Sequence, residues 1–120
     1  MIDATNPLKW ESGPVWNPPA EGSMTAALQN AHPAVKFVKT FNTFGFEHMA
    51  DPKMADLFMA GDDAEAKRII SEMATTAGFR PVDVGPTRNA GALENMAIIW
   101  IHLATVGQHP RNFTFQLSTH

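Results

Sequence analysis

Asp-Leu-Phe-Met-Ala-Gly-Asp-Asp-Ala-Glu-Ala-Lys-Arg-Ile-Ile-Ser-Glu-Met-Ala-Thr-Thr-Ala-Gly-Phe-Arg-Pro-Val-Asp-Val, residues 56–84, reads as strand, helix and strand in succession. Asp56 to Ala60 is a short apolar run closed by Gly61. Asp62 or Asp63 caps the helix that follows, Glu65 sits in its first turn where a carboxylate meets the helix dipole, and Gly78 ends it. Ala66, Ile69, Ile70, Met73, Ala74 and Ala77 fall at steps of three and four, which predicts a single buried stripe. Arg80 to Val84 predicts the returning strand, halted by Gly85-Pro86. Pro81 cannot donate to a ladder, so an early or edge position in that strand is expected.

Toward the amino terminus the same alternation continues. Met1 to Thr5 predicts a strand stopped at Asn6-Pro7, because a residue before proline is pushed out of the helical region. Leu8 to Gly22 holds Gly13, Pro14, Pro18 and Pro19, and no regular element is expected there. Ser23 is a suitable N-cap for a helix over Met24 to Ala31, ended by His32-Pro33. Val35 to Phe41, rich in β-branched and aromatic residues, predicts a strand, and Phe44 to Ala50 one or two helical turns. Toward the carboxyl terminus, Asn89 to Val106 predicts a helix apolar on several sides, with Gly91 delaying its regular part. Phe113 to Ser118 alternates apolar and polar residues as a half-solvated strand does. Strands alternating with helices give an α/β fold in a single domain over residues 1–120.

The composition excludes several classes of function. The chain of 120 residues has no cysteine, and so neither disulfides nor thiolate chemistry. Nine Lys and Arg against 12 Asp and Glu give a net charge of −3, without the basic footprint of a nucleic-acid or membrane-surface binder. The apolar run Met96 to Val106 is shorter than the roughly 20 residues that span a bilayer, and Met1 to Pro7 lacks a signal-peptide pattern, so a cytoplasmic protein is expected. The five histidines show no metal-binding spacing, and no metal site is expected. No two glycines have the spacing of G-x-G, which removes both the dinucleotide fingerprint and the P-loop. Polar residues do gather where strands end: Thr5 and Asn6, then Asn42 and Thr43, with Asn89 opening the long helix. Ligands of open α/β sheets bind at the carboxyl ends of strands, although Asn and Thr also serve as ordinary turn and cap residues. As a ligand-lining residue, Asn42 should tolerate substitution with little loss of stability.

Six ordered motifs carry a family resemblance: Ile-Asp-Ala-Thr-Asn-Pro-Leu (2–8), Val-Lys-Thr-Phe-Asn-Thr-Phe-Gly (38–45), Phe-Met-Ala-Gly-Asp-Asp-Ala-Glu-Ala-Lys (58–67), Gly-Phe-Arg-Pro-Val-Asp-Val-Gly-Pro (78–86), Leu-Glu-Asn-Met-Ala-Ile-Ile-Trp-Ile-His-Leu-Ala (93–104) and Phe-Thr-Phe-Gln-Leu (113–117). Together they resemble the later half of the deazaflavin (coenzyme F-420)-dependent NADP reductases, within a wider group of dinucleotide-binding reductases. The resemblance implies a partial Rossmann-like, doubly wound sheet with flanking helices, lacking the glycine-rich βαβ half that carries most of an NADP site. It implies NADP(H) and a deazaflavin as cofactors. Thr5, Asn6, Asn42 and Thr43 would then line the junction of the two rings, and Asn89 the far wall. No catalytic residue is assigned. The implied function is that of a half-length oxidoreductase, weak or inactive alone and without bound cofactor. The alternatives are a non-catalytic ligand-binding or assembly module, and one subunit of a split reductase. A strand left at an open edge, together with the apolar long helix, implies a homodimer or other homo-oligomer, or a partner chain supplying the missing half.

Overall fold

The computed structural model describes residues 1–120. Strands β1 (Ile2–Asp3) and β4 (Val38–Lys39) pair in parallel, as do β5 (Asp56–Met59) and β6 (Arg80–Asp83). The two pairs are separate two-stranded sheets that meet at one isolated antiparallel bridge, where Lys39 and Ala60 exchange backbone hydrogen bonds of 2.8 and 3.0 Å. Helices α1 (Met24–Ala31), α2 (Glu47–Ala50), α3 (Ala64–Ala77) and α4 (Ala90–Ala104) complete the framework. Along β5, side chains alternate between two apolar clusters. Leu57 and Met59 join Ile70, Ala74 and Phe79 on the α3 side, while Phe58 and Ala60 join Ala90 and Leu93 on the α4 side. Strand β5 is therefore covered on both faces, as parallel strands require.

Helix α3 forms as its punctuation dictates. The Asp63 carboxylate accepts from the Ala66 amide at 2.9 Å, and Gly78 closes the helix with φ 101°. Asp62 caps nothing. It accepts instead from the Thr87 amide at 2.9 Å and ties the start of α3 to the single 3-10 turn, Thr87–Asn89, that leads into α4. The Pro81 strand β6 pairs on one side only.

Several sequence expectations are corrected. Leu8–Gly22 is not irregular throughout: β2 (Leu8–Trp10) and β3 (Pro14–Trp16) form an antiparallel hairpin, turned by Ser12 and Gly13 at positive φ. Its prolines lie at a strand start or beyond the strands, where no ladder donor is lost. The Val35–Phe41 strand pairs only over Val38–Lys39. At one end the Gln29 amide takes the Val35 carbonyl and the Phe37 amide, and at the other Phe41 turns to φ 61°. Phe113–Ser118 is extended but joins no sheet, because its backbone groups bond to side chains. Trp100 Nε1 donates to the Phe113 carbonyl, the Leu117 amide donates to Asp56, and Arg80 donates to the Leu117 carbonyl. The α3 stripe is narrower than its periodicity implies: Ile70 and Ala74 are buried, whereas Ile69 and Met73 are 53% and 49% exposed. Gly91 does not delay α4. It sits in the first turn, where a Cβ would fall 3.1 Å from the Gly22 carbonyl and 3.3 Å from the Trp16 ring.

Charged groups hold these layers together at one buried point. The Lys39 ammonium is fully buried and contacts Asp3 and Glu94, each at 2.9 Å, and donates to the Thr5 carbonyl. Glu94 also accepts from Trp16 Nε1 at 3.0 Å and from the Met24 amide at 2.9 Å, and Asp3 accepts from the Thr25 hydroxyl at 2.7 Å. One cluster thus joins β1, β4, the hairpin, α1 and α4. Burial pushes the Asp3 carboxyl up, but hydrogen bonds from Thr5, Lys39 and Thr25 outweigh it and hold the group below its ordinary value.

Two results are expected from this packing. In urea unfolding, Ile70→Ala costs about 2–5 kcal/mol, as for other large-to-small core changes. Met73→Lys on the same helix costs less than about 0.5 kcal/mol; equal costs would refute the narrow stripe. Removing the charge with Lys39→Met leaves two buried carboxylates without their cation and costs about 3–5 kcal/mol. Because the folded Asp3 pKa is depressed, its contribution to stability is full above the ordinary carboxylate range. It is lost as pH falls through the lower folded value. Melting temperature against pH should therefore drop on the acid side, and an acid-independent profile would contradict the ionised cluster.

Candidate functional site

The carboxyl ends of β1 and β4 lie side by side, and the loops that follow them are stitched together. The Asn6 amide donates to the Asn42 carbonyl at 3.1 Å, and the Asn42 amide donates to Asn6 Oδ1 at 3.0 Å. Asn42 donates as well to the Leu93 carbonyl of α4 at 3.0 Å. Thr43 follows it, also buried. Four of the five residues singled out by the sequence, Thr5, Asn6, Asn42 and Thr43, are thereby collected at the ends of two neighbouring parallel strands. Asn89 stands apart from this pair: its amide donates to the Val84 carbonyl at 2.7 Å, beside Gly85 at φ 105°.

Asn42 is 5% exposed, and its Oδ1 has no hydrogen-bond partner. A side chain that bridges two loops and a helix is a structural member, so the expectation that Asn42 can change without loss of stability does not hold. Thr5 is placed differently. It is exposed, and its amide and hydroxyl both donate to Asp3 Oδ1, at 2.9 and 2.7 Å. Its carbonyl accepts from Lys39. Every polar group of Thr5 is therefore fixed by the buried cluster beneath it.

A cleft of about 350 Å³ opens beside Thr5, lined by Ile2, Leu28, Val35 and Phe37 together with Asp3 and His32. The Met1 and Asp3 carbonyls accept from Val38 and Thr40, so by alternation Ile2 and Ala4 direct their backbone groups away from β4, toward this side. Of the five candidate residues, Thr5 alone lines the cleft. Sequence reading missed the Asp3–Lys39–Glu94 cluster that sets Thr5. The available signal was a charge inside an apolar pattern, Lys39 after Val38 and Glu94 between Leu93 and Met96.

The helix N-termini decide which part of a dinucleotide could be held. The Met24 amide at the start of α1 is already bonded to Glu94, Asp63 caps α3, and Asp62 occupies the Thr87 amide leading into α4. Phosphate binding needs free amides and an electropositive helix end. A carboxylate stands at each of these three positions and opposes an anion there. The cleft beside Thr5 suits a flat, largely apolar ring with a polar substituent better, since aliphatic and aromatic side chains make most of its wall and Asp3, Thr5 and His32 its polar part. No three His, Asp or Glu side chains converge to form a metal site. No helix is long and apolar enough to cross a membrane.

Known proteins share this fold. No family model matches the chain. The chain is 32% identical over 97 residues, 78% of its length, to the rat metalloreductase STEAP3, of which it covers 19%. A solved structure described as a candidate F420-dependent NADP reductase from Arthrobacter sp. FB24 superposes with a TM-score of 0.85 at 31% identity, over 98% of this chain and 56% of that one. A hypothetical protein from Sinorhizobium meliloti superposes with a TM-score of 0.58 at 27% identity, over 75% of this chain and 46% of its own. The chain spans about half the length of these solved relatives and about a fifth of the metalloreductase. In fold and in sequence, these 120 residues resemble the C-terminal part of a Rossmann-like, F420-dependent NADP reductase.

Proposed function

We propose that these residues form the nicotinamide-facing part of an NADP(H)-dependent reductase site, working with a deazaflavin as the second ring. The observation that carries this reading is the union of the two loops through Asn6 and Asn42, at the ends of adjacent parallel strands, with Thr5 open to an apolar cleft. The family-level likeness to NADP reductases supports the nicotinamide cofactor. Hydride transfer asks a protein mainly for oriented rings and excluded water. In this chain Thr5 would orient the ring, Ile2, Leu28 and Val35 would exclude water, and Asn6, Asn42 and Thr43 would hold the second loop against the first. The pyrophosphate would be bound by a glycine-rich turn on another stretch of polypeptide.

A second reading, an assembly module in a cytoplasmic complex, is favoured by the unpaired edge of β1. Ile2 and Ala4 offer amides and carbonyls there, and Ile2 is 37% exposed. An edge of this kind pairs readily with a further strand.

Two measurements separate these readings. NADPH titrated into the 120-residue protein should bind only in the millimolar range, moving the amide resonances of Thr5 and Asn6, and the protein alone should transfer no hydride to a deazaflavin. Micromolar affinity or turnover by the pure protein would overturn the divided site. Sedimentation at high micromolar concentration should reveal a dimer or larger assembly that protects the Ile2 and Ala4 amides from exchange. A monomer in which those amides are already protected would end the assembly reading.

A further inference from the structure

The carboxyl-terminal segment is held without a ladder. Residues 110–120 belong to no helix or strand and share no backbone–backbone hydrogen bond with the rest of the chain. Side chains fasten the segment instead, at two places. Asp56 and Arg80 stand opposite each other at the amino ends of β5 and β6. Asp56 is 1% exposed, and it accepts from Arg80 Nη2 at 2.9 Å and from the Leu117 amide. Arg80 donates in turn to the Leu117 carbonyl at 2.6 Å. One ion pair thus takes both backbone groups of residue 117 and leaves its side chain exposed. At the other place Arg111 donates to Glu47 at 2.8 Å, and Trp100 Nε1 donates to the Phe113 carbonyl at 2.9 Å. Glu47 opens α2, directly after the loop that begins with Asn42 and Thr43. That loop presses on the segment: a Cβ at Gly45 would lie 3.0 Å from the Trp100 ring and 3.1 Å from the Arg111 guanidinium.

Between the two fastenings the segment is loosely seated. Phe115 packs against the Phe58 and Leu93 cluster, but open hollows border the residues around it. One of about 260 Å³ lies beside Met96 and Ile99, and one of about 180 Å³ beside His48 and Pro52. A segment bordered in this way has room to shift while the body stays packed. We propose that residues 110–117 are a latch on the second loop of the candidate site. Clasped through its backbone by Asp56 and Arg80, the latch braces that loop through Arg111, and opening the clasp loosens Asn42 and Thr43. The inference concerns regulation of the site proposed above, but the coupling operates with or without a nicotinamide ligand. Its failure leaves the ligand reading untouched, and a failure of NADPH to bind leaves the latch standing. Coupling of this kind is reciprocal, so loosening either end must loosen the other.

The test is amide hydrogen exchange of the 120-residue protein, read by nuclear magnetic resonance. Leu117→Pro removes the N–H that Asp56 accepts and leaves the Asp56–Arg80 pair in place. The amides of His48, Met49 and Asp51 donate to Gly45, Phe46 and Glu47. In this variant they should exchange about tenfold faster, the factor for losing one hydrogen bond to a charged group. Arg111→Ala, at an exposed position, should speed exchange of the Leu117 amide by a similar factor. The double variant should exchange at His48 no faster than Arg111→Ala alone, since one latch opens only once. The Ile70 and Ala74 amides of α3 should keep their rates in all three variants. Faster exchange confined to the altered end, multiplying effects in the double variant, or an equal rise across α3 would each overturn the latch.

Discussion

A buried ammonium has no stable place in a small protein unless each of its protons finds an acceptor, and the layers of this fold are arranged to supply three. Lys39 reaches Asp3 on its neighbouring strand, Glu94 on the long helix and the carbonyl of Thr5. The two carboxylates then draw in the Trp16 indole, the first amide of α1 and the Thr25 hydroxyl. Parallel ladders of two residues, such as the β1–β4 pair, are too short to hold a sheet by backbone bonds alone. Their register is secured instead by Asp3 lying opposite Lys39, and a slip of one residue would put the two charges on opposite faces. Breaking such a cluster costs far more than an exposed ion pair is worth, because each survivor is left charged and unsolvated.

The parts of this structure that were legible in the sequence are those governed by local chemistry. The Ser23 and Asp63 caps, the Gly78 terminus and the placement of β6 follow from residues within a few positions of one another. The parts that were not legible depend on distant side chains competing for backbone groups. Gln29 shortens β4 by occupying its neighbours' amide and carbonyl, and Asp56, Arg80 and Trp100 take the backbone of residues 113–117 out of any ladder. Propensity identifies an extended segment in each case; it cannot say whether the partner is a strand or a side chain. The candidate site shows the same division. Asn6 and Asn42 were visible as residues at strand ends, but their bond spans 36 positions and needs the parallel pairing to form.

The carboxyl-terminal segment bears on the site through the second loop. Arg111 pairs with Glu47 at 2.8 Å and lies over the rings of Trp100 and Phe46, at 5.1 and 5.8 Å. These groups close around Gly45, where a Cβ would lie 3.0 Å from the Trp100 ring. The loop that begins with Asn42 and Thr43 is thus held at its start by Asn6 and Leu93, and three residues on by an aromatic and cationic clamp. Cation–π contacts of this kind contribute roughly 0.5–1 kcal/mol each at exposed sites, so Arg111 steadies the loop without locking it.

Electrostatics separates the two ends of a dinucleotide more sharply than shape does. A phosphate requires helix amides with no partner, and in this chain the Met24 and Ala26 amides of α1, the Ala66 amide of α3 and the Thr87 amide ahead of α4 each meet a carboxylate or capping oxygen supplied by the fold. An anion brought to these positions would displace an internal hydrogen bond and face Glu94, Asp62 or Asp63 at close range. A neutral ring suffers neither penalty. The buried cluster also takes up the Thr5 amide, hydroxyl and carbonyl, so the charges that stabilise the strand pair fix the residue that borders the cleft. The Asp3 carboxylate that balances Lys39 is the same group that turns the Thr5 hydroxyl inward.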